Sequence, residues 1–152
     1  NDAASSITRL VDMGVEPFLV GSSLVAALAQ RLVRLLCLEC REAYEPSDEE
    51  LDEVGIDRAA ATGHQLYRSR GCAACNHSGY HGRIGIFEMM LVDDEIRAMV
   101  SKNVDSKTIK HRAVSNGMGT IRQDGARKVL DGVTSIAEVL RATEEEGSVT
   151  QI

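Results

Sequence analysis

Four cysteines, arranged as two C-x-x-C pairs, are the residues of this sequence whose type and spacing point most directly to chemistry. Cys37 and Cys40 form the first pair and Cys72 and Cys75 form the second, with the thirty-one residues 41–71 between them. Each pair places two sulfurs on one tight turn, and two such turns complete the tetrahedral shell that Zn²⁺ prefers. The pattern therefore predicts one zinc ion bound by all four thiolates.

Other uses of four cysteines remain open from the sequence alone. An iron–sulfur cluster also takes four cysteines, a thioredoxin-like redox site uses one C-x-x-C pair, and two disulfides would suit an oxidising compartment. If zinc is bound, four thiolates leave no coordination position open, so the site is structural rather than catalytic. His77 and His81 follow the second pair, and we expect them at the surface or behind the ligands.

The composition narrows the functional classes. The 152 residues include 17 basic and 23 acidic side chains, a formal net charge of −6. This balance disfavours binding to nucleic acid or to an anionic membrane surface. No apolar run is long enough to span a membrane, and the polar start lacks the apolar stretch of a signal peptide, so a cytoplasmic protein is expected. The missing initial methionine suggests a piece of a longer polypeptide.

The elements before the first cysteine pair are predicted to be mostly helical. Asn1 or Asp2 can cap a helix that ends near Met13. VEPFLVG is expected to be an extended or turn segment because proline disfavours helix at the preceding residue. In SLVAALAQRLVRLL, leucines recur every four residues, at 24, 28, 32 and 36. This spacing predicts a long helix that leads into Cys37.

Between the pairs, the sequence predicts a short helix with a capping box formed by Ser47 and Glu50 and a stop at Gly55. RAAATG is interpreted as a loop and QLYRSRG as a strand. After the second pair, RIGIFEMMLV is predicted to be a strand.

The rest of the chain is predicted to be short helices that share one core, because each has only two or three apolar residues. Their predicted caps are Asp93, Asp105, Thr120 and Ser135, the last in a second capping box with Glu138. Motifs for nucleotide or acyl chemistry are absent: the sequence contains no G-x-x-x-x-G-K-[ST], no G-x-G-x-x-G and no G-x-S-x-G.

Three stretches resemble a known family. They are DAASSITRLVDMGVEPFLVGSSLVAALAQRLVRLLC, GRIGIFEMM and GMGTIRQDGARKVLDGVTSIAEVLRAT. Together they are similar to the C-terminal part of the type II secretion system ATPases, the general secretion pathway protein E family, and to the related type IV pilus assembly ATPases. The resemblance extends to about Thr143, and the cysteine pairs lie where that family has its zinc-binding subdomain.

The resemblance implies an α/β fold at the C-terminal edge of a RecA-like P-loop NTPase core, with a tetracysteine zinc-binding insert and a small C-terminal helical subdomain. The implied segments are the end of the ATPase core, the zinc-binding subdomain, a strand with the helical subdomain, and a flexible tail: residues 1–36, 37–85, 86–143 and 144–152.

The resemblance also implies a function for the longer protein: ATP hydrolysis that powers pseudopilus assembly and protein export. The implied partners are other subunits of a homohexamer and the cytoplasmic domains of inner-membrane platform proteins, with a location peripheral to the bacterial inner membrane. The family's catalytic motifs precede the matched region. ATP and Mg²⁺ are therefore expected only in the longer protein, and this chain alone is expected to be inactive.

Arg9 and Arg83 match arginines that the resemblance places near nucleotide or a subunit interface. A fixed guanidinium can pair with phosphate or stabilise charge in phosphoryl transfer. The alternative for each is an ordinary surface salt bridge. Two alternative functions of the chain also remain open: a non-catalytic zinc module that docks a membrane-platform protein, and a fragment of a type IV pilus assembly ATPase.

Overall fold

The computed structural model describes residues 2–144, and they form a mixed α/β structure. None of the helices in this range is long and apolar enough to cross a membrane. The described elements, in chain order, are α1 (Ala3–Asp12), α2 (Pro17–Ser23), β1 (Ala26–Leu36), β2 (Glu42–Tyr44), α3 (Asp48–Val54), α4 (Arg58–Ala61), β3 (Leu66–Arg68), a 3₁₀ turn (Ala73–Cys75), β4 (Tyr80–Leu91), α5 (Asp94–Ser101), α6 (Ser106–Ser115), α7 (Ile121–Leu130) and α8 (Ile136–Thr143).

The chain divides into two compact units, and each combines two stretches that are distant in sequence. The first unit contains Asn1–Gln30 and Phe87–Ile121, and the second contains Arg31–Ile86 and Arg122–Ile152. The three boundaries fall inside β1, β4 and α7. Strands β1 and β4 pair in one two-stranded sheet, while β2 and β3 pair antiparallel in another. The four predicted segments, 1–36, 37–85, 86–143 and 144–152, are each continuous in sequence, whereas each compact unit combines two separate stretches. The predicted segments therefore do not coincide with the two units, and they remain a proposal. Most of the predicted tail lies outside the described residues.

In the first unit, one buried carboxylate joins β4 to two helix starts. Glu88 has a fully buried side chain, which accepts hydrogen bonds from the backbone N–H of Ala3 at 3.0 Å and of Ile121 at 3.3 Å. These amides belong to the first residues of α1 and α7, where no helical carbonyl can accept them and a negative charge is favourable. Lys110 Nζ lies 3.6 Å from the same carboxylate and balances its charge.

The second unit has a hydrophobic core. Its residues come from two segments of the sequence, one before β4 and one after it. Helix α3 and the segment that follows it contribute four buried side chains, and α7 and α8 contribute four more. The eight residues are Leu51, Val54, Ile56, Leu66, Ala126, Val129, Ile136 and Val139. Side chains from the stretch between the cysteine pairs therefore share a core with the C-terminal helices.

The predicted helix over SLVAALAQRLVRLL is wrong, because residues 26–36 form strand β1. A four-residue repeat is also a multiple of two, so the same leucines fall on one face of a strand. Pairing with β4 overrides the helical pattern. The repeat lies only partly in the core: Leu28 and Leu32 are 62% and 52% exposed, whereas Leu36 is buried, as are Ala29 and Val33.

Two smaller predictions about the N-terminal half are also wrong. VEPFLVG is not an extended or turn segment from Pro17 onward, because Pro17 opens helix α2, where its fixed φ and missing N–H suit the first helical position. RAAATG contains the short helix α4, which begins at Arg58.

The capped helices are better predicted. Asp2 accepts from the N–H of Ser5 at 2.7 Å, and Asn1 lies outside the described residues.

The predicted caps of α3, α5 and α6 are confirmed. Ser47 and Glu50 exchange both hydrogen bonds of a capping box. Asp93 and Asp105 accept the expected backbone N–H groups at 2.8 Å and 3.0 Å. Ser135 caps α8, but the second capping box is only half present in the described structure, because the Glu138 carboxylate binds two arginines instead.

Candidate metal centre

The four cysteines lie on two backbone turns of the second unit. The first cysteine turn, Cys37–Cys40, directly follows β1, and the second, Cys72–Cys75, contains the 3₁₀ helix. In each turn, the N–H of the second cysteine donates to the carbonyl of the first, at 3.3 Å and 3.2 Å. The N–H of Cys37 donates to the carbonyl of Gly79 at 3.0 Å, so the two turns are also joined through the backbone.

The sulfur positions fit one four-coordinate ion. The Sγ atoms of Cys37 and Cys72 are 4.0 Å apart, and those of Cys40 and Cys75, and of Cys72 and Cys75, are 3.8 Å apart. All four sulfurs lie within 4.8 Å of one another, and none of the four cysteines forms a disulfide. A tetrahedron with Zn–S bonds of about 2.3 Å has sulfur–sulfur edges of about 3.8 Å. A disulfide requires about 2.05 Å, so these distances match metal ligands rather than disulfide partners.

Backbone N–H groups point at two of the sulfurs. Gly71 donates to Cys40 Sγ at 3.3 Å, and Cys72 and Gly79 both donate to Cys75 Sγ at 3.2 Å. The hydrogen bond from Cys72 and then that from Gly79 lower the pKa of the Cys75 thiol to about 6, although burial opposes the change. Burial instead raises the pKa of the Cys40 thiol to about 11, so of these two sulfurs Cys75 is the one that ionises more readily to the thiolate that binds a metal.

The second cysteine turn depends on glycines in the left-handed region. Gly71 has φ +103° and Gly79 has φ +78°. A Cβ on Gly71 would lie 2.6 Å from the carbonyl oxygen of His77, and a Cβ on Gly79 would lie 2.5 Å from the Cβ of Ser69. Only glycine lets the backbone approach this closely while its N–H points at sulfur.

The two nearby histidines are exposed, as predicted, and the metal-binding group consists of cysteines alone within residues 2–144. His77 has φ +60°, and its N–H donates to the carbonyl of Cys72 at 2.8 Å, so its backbone shapes the second turn. His81 follows the start of β4.

Arg83 and Arg9 lie in different compact units, Arg83 on β4 in the second and Arg9 on α1 in the first. Both side chains are exposed. Neither guanidinium has a hydrogen bond or ion pair to another residue of the range 2–144. The salt bridge weighed as an alternative for each arginine is therefore not found among these residues.

The sequence did not reveal an ionic cluster around the buried Glu138 of α8. Glu138 accepts from the backbone N–H of Arg34 at 3.0 Å and pairs with the guanidinium groups of Arg34 and Arg141, both at 2.7 Å. The Arg34 guanidinium also lies 4.1 Å from the centre of the Tyr80 ring. No local sequence pattern relates Arg34 to Glu138, which is about one hundred positions away.

A comparison with known families and proteins adds to this geometry. Residues 1–141 match the model of the family described as "Type II/IV secretion system protein". The chain is 47% identical over 146 residues to "Type II secretion system protein E" of Pseudomonas aeruginosa, covering 96% of this chain and 28% of that protein. It is 44% identical over 145 residues to "Type II secretion system ATPase E" of Vibrio cholerae, covering 95% and 28%.

A pilus protein is similar to a comparable degree. "Type IV pilus assembly ATPase PilB" of Thermus thermophilus is 44% identical over 145 residues, 95% of this chain and 16% of that protein. The chain thus spans less than a third of the length of these relatives. It is nevertheless matched almost from end to end, and it belongs to the type II/IV secretion system protein family.

Proposed function

We propose that this chain is the C-terminal part of a secretion NTPase whose ATP hydrolysis powers pseudopilus assembly and protein export by a type II secretion system. The observation that carries the proposal is the 47% identity over 146 residues to a type II secretion system protein E. The relative from Vibrio cholerae, 44% identical over nearly the same length, is named an ATPase.

Within that protein, the chain supplies a structural metal site. Cys37, Cys40, Cys72 and Cys75 hold one zinc ion, and the metal cross-links two turns that are thirty-five residues apart in the sequence. Four thiolates saturate the ion, so it has no position for substrate. The N–H groups of Gly71, Cys72 and Gly79 stabilise the negative charge on the sulfurs.

The first unit supplies the edge of a larger RecA-like core. Along β4, Ile86, Glu88 and Met90 are buried while the alternating residues between them are exposed. Met89 and Leu91 are 57% and 63% exposed. Exposed apolar residues of this size mark surfaces that meet another part of a protein, and a sheet with an apolar face needs a second layer. The longer protein provides that layer.

The longer protein also provides the nucleotide site. The sequence has no P-loop, so ATP and Mg²⁺ are bound outside these 152 residues. The longer protein acts as a homohexamer at the cytoplasmic face of the inner membrane, beside its platform proteins. Arg83 is exposed and without a partner in residues 2–144, and we place it at the nucleotide or the subunit interface; Arg9 is a weaker choice for the same role.

Steady-state ATPase assays test this proposal. The 152-residue chain is expected to hydrolyse no ATP above background, because phosphate-cradling amides, a phosphate-binding lysine and a magnesium-held carboxylate must act together. The longer protein is expected to hydrolyse ATP, and Arg83→Ala is expected to lower its turnover severalfold, because a finger arginine acts in the transition state. Arg70→Ala, which removes another exposed arginine of the second unit, is the matched control.

Robust hydrolysis by the chain alone would refute the first expectation. Unchanged turnover of the Arg83 variant, with hexamer assembly intact, would remove that residue from the nucleotide site. Of the alternative functions, the pilus assembly ATPase is favoured by the similarity to the protein of Thermus thermophilus. It is distinguished by whether deletion of the gene abolishes pili or protein export. Loss of export without any ATPase activity in the longer protein would support the non-catalytic docking module.

A further inference from the structure

A groove with aliphatic walls lies beside the first cysteine turn, within the second unit. Its volume is about 490 Å³, within the range of about 300–1,000 Å³ that is usual for binding sites. Leu35 and Leu36 of β1 line one side, and Val133, from the loop between α7 and α8, also lines it. Leu38, in the middle of the first cysteine turn, borders the groove and is 77% exposed.

The groove has an acidic border. Glu39 and Asp131 line it, both are exposed, and neither carboxylate has an ion pair or side-chain hydrogen bond within residues 2–144. Arg41 also lines it, but its guanidinium donates to the carbonyl of Gly132 at 2.9 Å and stacks 4.1 Å from the centre of the Tyr67 ring. An ion such as Zn²⁺ with four thiolate ligands adds a formal charge of about −2 beside the groove.

We propose that this groove binds a segment of a partner protein in which an aliphatic side chain is flanked by lysine or arginine. The aliphatic walls and Leu38 bury the apolar side chain, and the unpaired carboxylates attract the basic residues. Nucleic-acid phosphates and anionic lipid headgroups are repelled by the same charges. The inference rests on the proposed metal centre, which fixes the position of Leu38 and contributes part of the charge.

The backbone around Leu38 explains why such a site would be rigid. The residues on either side include two metal ligands, Cys37 and Cys40, and the N–H of Arg41 donates to the carbonyl of Cys37 at 2.9 Å. A leucine on a backbone turn that is already held in place adds no backbone ordering cost when a partner covers it. Leu38 is therefore suited to be a binding contact.

Selection of short random peptides, displayed on phage, against the zinc-loaded 152-residue chain tests the proposal. The enriched peptides are expected to combine leucine, isoleucine or valine with lysine or arginine. A synthetic copy of the most enriched peptide is then titrated by fluorescence polarisation. Its Kd is expected to rise severalfold when the salt concentration is increased, because salt screens charges on an exposed border.

Variants of the groove and matched controls locate the binding. Leu38→Ser is expected to raise the Kd about tenfold, and Glu39→Lys combined with Asp131→Lys by about tenfold or more. Leu32→Ser and Glu49→Lys are the controls, because both residues are exposed in the second unit but do not line the groove. Each control is expected to leave the Kd within about twofold.

Several outcomes would overturn the proposal: no peptide enriched, enriched peptides that are acidic or purely polar, or groove variants that bind as well as the controls. A dimer of the chain that Leu38→Ser dissociates would assign the groove to a second copy instead. Zinc content, measured on each variant by a colorimetric assay, distinguishes failure of the proposed metal centre from failure of the proposed peptide groove. A chain that binds no zinc refutes the metal centre, whereas a zinc-loaded chain without peptide binding refutes only the groove.

Discussion

At the scale of single residues, Gly79 connects the two cysteine turns. Its carbonyl accepts from the N–H of Cys37, and its N–H donates to Cys75 Sγ. Its positive φ and its close approach to Ser69 allow no side chain. The C-x-x-C spacing identified the four ligands in the sequence, but the role of this glycine is visible only when both turns are in place.

Gly79→Ala is expected to lower zinc affinity about 10- to 100-fold, because the added Cβ displaces a group that supports the ligand sulfur. Competition with a zinc chelator measures the affinity. Gly63→Ala is the matched control: Gly63 also has a positive φ, +88°, but an added Cβ would meet no atom within 4 Å. Equal losses in the two variants would attribute the effect to backbone strain alone.

Protonation of Glu138 is expected to change the free energy of unfolding. Burial raises its pKa, but hydrogen bonds from Arg141 and Arg34 outweigh the burial and lower the pKa from 4.5 to about 2. A carboxyl with a lowered pKa in the folded state binds its proton more readily when unfolded. The contribution of the ionised Glu138 to the free energy of unfolding is therefore fully present above about pH 5, and it is lost as the pH falls towards 2.

We expect Glu138→Gln to reduce this loss of stability by about 2 kcal/mol between pH 5 and pH 2, a value discounted for the half-exposed arginines. Urea denaturation across this pH range measures it. Glu42→Gln, which changes an exposed pair with Arg68, should leave the pH profile close to that of the unmodified chain. An unchanged profile for Glu138→Gln would exclude this carboxylate as the source of the acid sensitivity.

At the scale of elements, the sequence predicted correctly the features that depend on residues close together in the chain, such as helix caps. The caps at Ser47, Asp93 and Asp105 lie within three residues of the N–H groups that they accept, so the pattern contains the whole interaction. Strand β1 was missed because its conformation depends on β4, more than forty residues away along the chain. The buried Glu88 was missed for the same reason, since Ala3 and Ile121 are far from it in sequence.

Removal of the metal is expected to reduce the local stability of α3, which precedes β4 in the sequence, and of α7 and α8, which follow it. Leu51 and Leu66 share a core with Val129 and Val139, so disorder between the cysteine pairs exposes the inner faces of α7 and α8. After chelation, hydrogen exchange should therefore accelerate in α3, α7 and α8 together. Unchanged protection in α7 and α8 would show that the stretch between the cysteine pairs and the C-terminal helices fold independently.

At the scale of the whole molecule, the family was predictable from long ordered stretches of sequence, whereas the compact units were not. Each unit joins two segments that are far apart in the sequence, and no composition change marks the boundaries inside β1, β4 and α7. The first unit also exposes Leu28, Met89 and Leu91, which is consistent with the proposal that it continues into a larger core.

The metal centre is the claim on which the account of this chain depends most, and one measurement tests it directly. Elemental analysis of the purified chain, together with X-ray absorption at the metal edge, is expected to give one zinc ion per chain with four sulfur ligands at about 2.3 Å. Cys72→Ser should reduce the zinc content strongly. Stoichiometric iron, or an intact fold with no metal and four free thiols, would contradict the account.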